Sequence, residues 1–452
     1  MAAHKTKSRL RPRARSLAAC LREFLTPALW KQAQAARTAA GRRSKHPARW
    51  NTQPLVLVLV LLTWTCGDSQ AERFETAKAA CAVCLTKRRR PGRTVGGFQK
   101  ALARLPLTVL RVLAAGVRQR LEALFELASE GFVVLGCDGS LLECPRTAEL
   151  EQRLGDRGKE HSAPGIWVTA LVHLRTGLLW SWRLGKSTAS ERLHLNYLLK
   201  TLPACALVVA DAGFNGYWLA AAILEAPASF LIRASGKDYF YTDAAVDRER
   251  WQDGPVYVWP ETAQDKQQPP LQLRLIRVRS RKTKNDVWLL TDVLDKQRLS
   301  AATAAKYYRM RWENEGLFRT YKRTLAKVKL TSRTVRLVHR EAEGALLGTQ
   351  LLLAQGTRAL PQRTSRERPR RCSPRAVLLE IRHELQAAAV RRRASLSRRL
   401  AQAQREQRRR TSAKEKRVWP RRVPHKAPKT PHFLTLSAEQ KALQEKVLRE
   451  TG

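Results

Sequence analysis

The chain has 452 residues, 44% of them hydrophobic, so it is long enough for two or three domains with sizeable cores. It carries 85 Lys and Arg residues against 38 Asp and Glu, a formal net charge of +47. So many positive charges repel one another in a compact fold unless a polyanion is bound nearby. We therefore expect nucleic acid as the first partner and an anionic membrane surface as the second. The eight cysteines form no disulfide framework, which is typical of a reducing compartment.

Residues 1–124 are predicted to form a helical, basic N-terminal region, whose charge alone indicates DNA binding. The most apolar run, PLVLVLVLLTWTC at 54–66, is shorter than the roughly 20 residues of a membrane span. It also follows too many charges to be a signal peptide, so we expect a buried core element. Cys81 and Cys84 form the close pair CAVC, but no second pair or histidine follows at the spacing of a zinc site.

Residues 125–357 alternate between strand-like and helical patterns. GFVVLGCDGS at 131–140 predicts a buried strand that leads into a turn at Asp138 and Gly139. The run at 165–185 predicts a β-hairpin whose turn contains Gly177 at positive φ. CALVVADAGFNG at 205–216 predicts another apolar strand, which ends in Asp211.

Residues 236–292 carry Tyr, Trp and Val runs with several prolines, which indicates a β-rich insertion. Its tryptophans have two interpretations: stacking on an unpaired base or packing in the sheet core. They are Trp251, Trp259 and Trp288. Helical sequence resumes at about 299 and includes a buried helix at 341–355.

Residues 358–452 are predicted to be a basic C-terminal tail, partly helical and partly disordered. The tail either binds phosphates without sequence choice or is merely a soluble end.

Asp138 and Asp211 are candidate catalytic acids because each ends an apolar strand, where a side chain emerges from a sheet edge into a cleft. Each also has a simpler explanation, since aspartate is common in the turn after a strand.

The stretch KYYRMRWENEGLFRTYK at 306–322 predicts a helix with Glu315 among cations. At about 100° per residue, four side chains fall within an arc of roughly 60° on one helical face. They are Tyr308, Arg311, Glu315 and Lys322. Glu313 points to the other side. A solvated face with i,i+4 ion pairs explains the same charges.

The spacing Tyr-x2-Arg-x3-Glu-x6-Lys in this helix resembles the signature of a group of bacterial insertion-sequence transposases of the DDE type. The order of the acids agrees with that family, with one aspartate on the first core strand and one on a later strand. The resemblance covers roughly 125–357.

This resemblance implies an α/β fold with a ribonuclease-H-like core: a mixed sheet flanked by helices, with the β-rich insertion, the helical N-terminal domain and the basic tail around it. It implies that Asp138, Asp211 and Glu315 are catalytic and hold two Mg²⁺ ions, or Mn²⁺ in their place. It implies that the other three signature residues grip phosphates beside the scissile bond: Tyr308, Arg311 and Lys322.

The function implied is cut-and-paste transposition on double-stranded DNA. The partners would be the terminal inverted repeats of the element and its target DNA, bound by a dimer in synapsis, with no membrane partner. A catalytically inactive DNA-binding relic and a structure-selective nuclease with the same core remain alternatives. We expect a prokaryotic, cytoplasmic protein that associates with the nucleoid when it is bound to DNA.

Overall fold

The computed structural model describes residues 16–40, 50–85, 91–155, 163–279, 286–360, 371–390 and 430–451. The helices are α1 (Leu17–Phe24), α2 (Pro27–Ala39), α3 (Thr52–Trp64), α4 (Gln70–Cys84), α5 (Val95–Arg104), α6 (Leu107–Leu124), α7 (Ala148–Leu154), α8 (Glu191–Leu199), α9 (Tyr217–Glu225), α10 (Glu261–Gln264), α11 (Ala301–Met310), α12 (Glu313–Arg319), α13 (Val335–Ala359), α14 (Pro374–Val390) and α15 (Ala438–Thr451). The strands are β1 (Val133–Glu143), β2 (Gly165–His173), β3 (Leu178–Lys186), β4 (Ala206–Ala210), β5 (Ala228–Arg233), β6 (Tyr239–Thr242), β7 (Asp253–Val258), β8 (Leu271–Val278), β9 (Val287–Thr291) and β10 (His432–Thr435).

The chain divides into two compact units. The first comprises residues 1–126, 142–166 and 318–406, and the second comprises 127–141, 167–317 and 407–452. Each unit is assembled from several segments of the chain by spatial contact, so the units do not test the domain boundaries predicted from the sequence. The boundaries at 124 and 357 remain predictions.

The described residues of the first unit that precede β1 form the helices α1 to α6, as the sequence predicts. Residues 54–66 lie in and just beyond α3, which is buried along nearly its whole length. This burial confirms the expected core element. Pro106 is the N-cap of α6 and separates it from α5, because proline cannot donate the backbone hydrogen bond of a helix interior. None of the described helices is both long enough and apolar enough to cross a membrane.

Helix α3 packs against α13 through glycines on α13. An added Cβ at Gly344 would overlap the side chain of Leu59, and one at Gly348 would lie 3.2 Å from Thr63 Cβ. The two glycines are four residues apart and therefore share one face of the helix. The Trp64 Nε1–H donates to the Gly348 carbonyl at 3.1 Å, which fixes the contact. Helix α13 is buried from Glu341 to Gly356, as predicted.

Cys81 and Cys84 are buried in α4 of the same unit, and burial raises the pKa of both thiols to about 12. Both side chains are buried in the interior of this unit.

The second unit contains a sheet with the strand order β10-β6-β7-β8-β9-β5-β4-β1-β2-β3, apart from the end of β1 and the start of β2. Strands β1, β4 and β5 are mutually parallel, while β5, β9, β8, β7 and β6 pair antiparallel in turn. Helices α8, α9 and α11 contact strands of this sheet. The predicted α/β class with a mixed sheet flanked by helices is confirmed. The predicted hairpin is β2 and β3, with Gly177 at φ 76°.

The core of the second unit lies between the sheet and α11. Val134, Leu207 and Leu231 come from adjacent parallel strands and are almost fully buried. Tyr307 of α11 packs on the same cluster, and its hydroxyl donates to the Ser129 carbonyl at 3.0 Å. This packing holds the helix that precedes Glu315 against the strands that carry the two aspartates.

The C-terminal segment differs from the prediction. Most of the segment expected to be extended or disordered lies outside the described residues, but β10 pairs parallel with β6, from His432 opposite Tyr239 to Thr435 opposite Thr242. Helix α15 follows, and Leu436 and Leu443 pack with Trp259. Residues 432–435 of the tail predicted to be partly helical and partly disordered form a strand, because a sheet edge supplies hydrogen-bond partners that no local pattern reveals.

We predict that Gly344→Ala destabilises the protein by about 1–3 kcal/mol, because the new methyl group would be forced into Leu59 across the α3–α13 contact. Gly96→Ala is the matched control. It lies in a helix with nothing within 4 Å of the added Cβ, and it should be neutral or stabilising by up to about 1 kcal/mol. Thermal unfolding of both variants measures the difference. Equal melting temperatures would contradict the close helix contact.

Candidate active site

Asp138 lies within β1, whose residues Val133 to Gly136 pair with β4. The predicted turn at Asp138 and Gly139 is wrong, because β1 continues to Glu143. Gly139 instead permits a close approach. An added Cβ would overlap a carboxylate oxygen of Glu191 and lie 2.7 Å from Trp167 Nε1. A glycine inside a strand can mark such a contact as well as a turn.

Asp211 follows β4 directly, as the sequence predicts. Its carboxylate accepts a hydrogen bond from Gly213 N at 2.9 Å and caps the short 3₁₀ turn Ala212–Phe214. The parallel register places Gly136 opposite Val209. Asp138 lies two residues beyond Gly136, and Asp211 lies two residues beyond Val209. The two aspartates therefore come level at the same edge of the sheet.

Glu315 lies in α12 and is exposed. The pKa of Asp138 is raised, first by burial and then by the negative charges of Asp211 and Glu315. The Gly139 backbone N–H and the Arg311 guanidinium lower it in part. The structure thus brings Asp211 and Glu315 within electrostatic range of Asp138, although the three acids are far apart in sequence.

Tyr308 and Arg311 form a hydrogen-bonded pair beside these acids. The Arg311 guanidinium donates to the Tyr308 hydroxyl and lies 5.7 Å from the centre of its ring. Burial raises the pKa of the Tyr308 hydroxyl. The positive charges of Arg311 and Arg233 lower this pKa, whereas the negative charge of Asp211 raises it further. The Arg311 Nε–H is buried and has no hydrogen-bond acceptor among the described residues. Arg311 therefore keeps a donor available for a bound anion.

The predicted single helical face is wrong. Helix α11 ends at Met310, Arg311 is its C-cap, and α12 begins at Glu313. Two successive i→i+3 backbone bonds tighten the chain here: Arg311 N to the Tyr308 carbonyl at 3.1 Å and Asn314 N to the Arg311 carbonyl at 3.0 Å. No proline or glycine marks this break in the sequence. The spacing of about 100° per residue holds only within one continuous helix, so it does not apply across the break between α11 and α12.

Lys322 belongs to the first compact unit, in a π turn at Thr320–Thr324. Burial lowers the pKa of its ammonium group, and the nearby Glu143 raises it. The other five predicted site residues all belong to the second unit. The role of Lys322 in phosphate binding stays a prediction.

Three residues near these acids carried no signal in the sequence. Glu191 begins α8 and lies against Gly139. Arg233 ends β5, and its buried Nε–H has no acceptor in the described part of the chain. Asn314 is fully buried, with an amide that has no partner in the same part of the chain, and it lies against Gly136. Only the folded contacts identify them.

The tryptophans of the β-rich segment support the packing interpretation. Trp259 is buried and its Nε1–H donates to the Gln268 carbonyl at 2.7 Å. Trp251 Nε1–H donates to the Leu275 carbonyl at 3.0 Å, and Trp288 is buried beneath the Arg277 guanidinium. Trp312 differs, because 61% of it is exposed.

The donor chemistry of the site fits a hard divalent cation, because carboxylate oxygens are the ligands that Mg²⁺ prefers. Within the described ranges, however, no group of three or more His, Cys, Asp or Glu side chains stands close enough to hold a metal ion. The carboxylates therefore gather in one region without forming a complete set of ligands.

Residues 131–349 match the family model described as the transposase DDE domain. This range covers just under half of the chain and includes all six residues predicted from the signature and the two strands. Curated proteins give no match. Among solved structures, the chain is similar to a piggyBac transposase in a cryo-EM structure of its synaptic complex with hairpin DNA. The identity is 12%, over 82% of this chain and 80% of that one, with a TM-score of 0.42.

We predict that Asp138→Asn raises the melting temperature of the metal-free protein at neutral pH. A carboxyl whose pKa is raised on folding contributes stability below its ordinary pKa and loses it as the pH rises through the folded value. Asparagine does not ionise, so the advantage of the variant should vanish as the pH falls below the ordinary aspartate range. Thermal unfolding at several pH values measures this, with Glu225→Gln, which changes an exposed carboxylate at the end of α9, as the control. An advantage that is independent of pH would contradict the raised pKa.

Proposed function

We propose that this protein is a cut-and-paste DNA transposase. It binds the terminal inverted repeats of its element, hydrolyses a phosphodiester at each end and transfers the freed 3′-hydroxyl into target DNA. The observation that supports the proposal is that Asp138 comes level with Asp211 on adjacent strands and lies within electrostatic range of both Asp211 and Glu315, inside the range that matches a transposase DDE domain. The net charge of +47 supports a polyanionic substrate.

The core proposed is ribonuclease-H-like. Its support is the mixed sheet in which β1, β4 and β5 run parallel, with helices against it and the acids at one edge. In this proposal Asp138 and Asp211 lie on adjacent strands, while Glu315 comes from the helical segment that follows α11.

DDE transposases generally use divalent metal ions. We propose Mg²⁺, two ions per site, held by Asp138, Asp211 and Glu315, with Mn²⁺ as a substitute. Bound there, the ions would activate water or a DNA 3′-hydroxyl and stabilise the leaving oxygen.

The residues of the chain itself position the DNA backbone. The Arg311 guanidinium is oriented by its bond to Tyr308 and retains the unused Nε–H, so it can donate to a phosphate oxygen beside the acids. Lys322 would supply a further cation. Such contacts fix the register of the DNA but carry no sequence information, so recognition of the repeats is assigned to the basic N-terminal region.

Two ends of one element must be joined in a coordinated reaction, so we propose a dimer on DNA. The protein would act in the cytoplasm of a prokaryote, on the nucleoid.

The test is cleavage of a plasmid that carries the gene with its native flanking DNA, in the presence of Mg²⁺. Asp138→Asn, Asp211→Asn and Glu315→Gln should each lower the rate of end cleavage by at least about a hundredfold, since even groups that only support metal ligands cost about 10–100-fold. Glu313→Gln, two residues from Glu315, is the matched control and should keep the rate of the unaltered protein.

Cleavage at full rate by all three acid variants would contradict the site. Pre-cut ends separate the other functions: joining to target DNA indicates a transposase, and cutting without joining indicates a nuclease. DNA binding without Mg²⁺-dependent nicking would indicate an inactive relic.

A further inference from the structure

We propose that the start of α13 and the adjoining start of α6 form a cationic surface that binds the backbone of double-stranded DNA. The residues that define this surface are Arg111, Arg336 and Arg340, all in the first compact unit. The inference rests on the proposed function and extends it, because it assigns DNA contact to a defined surface. Two of its three arginines come from a helix more than 200 residues after the basic N-terminal region.

Arg336 and Arg340 belong to adjacent turns of α13. They are four residues apart and therefore share one face of the helix. The Arg340 Nη1–H donates to the Arg336 carbonyl at 2.7 Å, and its Nε–H donates to the Leu105 carbonyl at 2.7 Å. Leu105 is the C-cap of α5, so these bonds hold the guanidinium where the α5–α6 connection meets α13. Burial lowers the pKa of Arg340, and the positive charge of Arg336 lowers it further.

Arg111 brings a third positive charge to this surface from α6. Its Nε lies 3.6 Å from a carboxylate oxygen of Glu343, which is on α13 one turn after Arg340. Burial lowers the pKa of His339, and the positive charges of Arg340 and Arg111 lower it further. One imidazole is thus within electrostatic range of cations from both helices. Helices α6 and α13 therefore contribute to the same positive surface.

The acids near this surface bind other groups. Glu343 is 3% exposed and pairs with Arg111. The Glu149 carboxylate accepts the Val335 backbone N–H at 3.0 Å, at the start of α13. Arg336 is exposed, and its guanidinium has no hydrogen-bond or ion-pair partner among the described residues. Like charges held this close are unfavourable in the free protein, and a bound polyanion relieves the repulsion.

Double-stranded DNA fits this surface by charge and by donor chemistry. Guanidinium groups donate charge-assisted hydrogen bonds to phosphate oxygens, often two at a time. Here they extend from two helices, and one of them is already held in place by backbone carbonyls. Contacts to the DNA backbone carry no sequence information. We therefore expect this surface to bind element ends and unrelated duplexes alike.

The alternative is that these arginines only hold α13 against its neighbours. This role fits Arg340, whose hydrogen bond to Leu105 joins two helices. It does not fit Arg336, whose side chain contacts no partner in the described part of the chain. A structural role changes the melting temperature, whereas contact with phosphates changes the salt dependence of DNA binding. Arg336 is therefore the residue that separates the two roles.

The experiment measures binding of the full chain to a fluorescent duplex by anisotropy, without divalent metal, between about 50 and 200 mM salt. Arg336→Gln should lower the slope of log affinity against log salt by about 0.9 and weaken binding about fivefold to tenfold near 0.1 M salt. Arg336→Lys keeps the charge and should keep the slope. Melting temperatures verify that each variant folds.

Arg375→Gln is the matched control, because it also removes one exposed arginine of the first unit. Arg375 lies at the start of α14, two residues before Val377, which packs against Gly356. Gly356 is twenty residues after Arg336 on α13, about 30 Å along the helix. The control should keep the slope of the unaltered protein.

An unchanged slope for Arg336→Gln would overturn this surface and leave the proposed function intact. An equal loss in Arg375→Gln would reflect net charge alone and would overturn it too, as would a loss in Arg336→Lys as large as in Arg336→Gln. A loss confined to the native ends of the element would indicate base recognition and contradict the backbone assignment. Failure of the unaltered protein to bind duplex DNA at all would contradict the proposed function itself.

Discussion

The parallel pairing of β1 with β4 determines where negative charge accumulates in this protein. Gly136 opposite Val209 brings Asp138 level with Asp211, and burial leaves the first carboxylate poorly solvated. The nearby acids Asp211 and Glu315 raise the pKa of Asp138 further, while Arg311 lowers it. A buried carboxylate beside other acids is costly to ionise unless a cation is bound near it. We therefore expect the chemistry of the site to depend on a bound cation.

Features that depend on local pattern were predictable from the sequence. The apolar run of α3 and the hairpin turn at Gly177 follow from hydrophobicity and from the conformational freedom of glycine. Asp211 was located correctly because a strand, an acid and a glycine succeed one another there. Asp138 was a candidate because it was predicted to end an apolar strand, and Glu315 because its spacing resembles the transposase signature. In the fold, Asp211 and Glu315 both lie within electrostatic range of Asp138.

Features that depend on distant contacts were not predictable. Gly139 was interpreted as a turn residue, whereas its missing side chain makes room for Glu191 and Trp167. The helix break at Arg311 has no sequence marker, and the last strand pairs with a sheet edge about 190 residues away. In each case the deciding partner lies far along the chain, where neither propensity nor periodicity carries information.

The central claim is that the acids at this sheet edge bind divalent metal against a DNA phosphate. The most direct measurement is anomalous X-ray diffraction from the full chain crystallised with duplex DNA and Mn²⁺. The account predicts anomalous peaks about 2.1 Å from carboxylate oxygens of Asp138 and Asp211, with Arg311 on a nearby phosphate. Peaks elsewhere, or these carboxylates turned away from a DNA-bound metal, would contradict it.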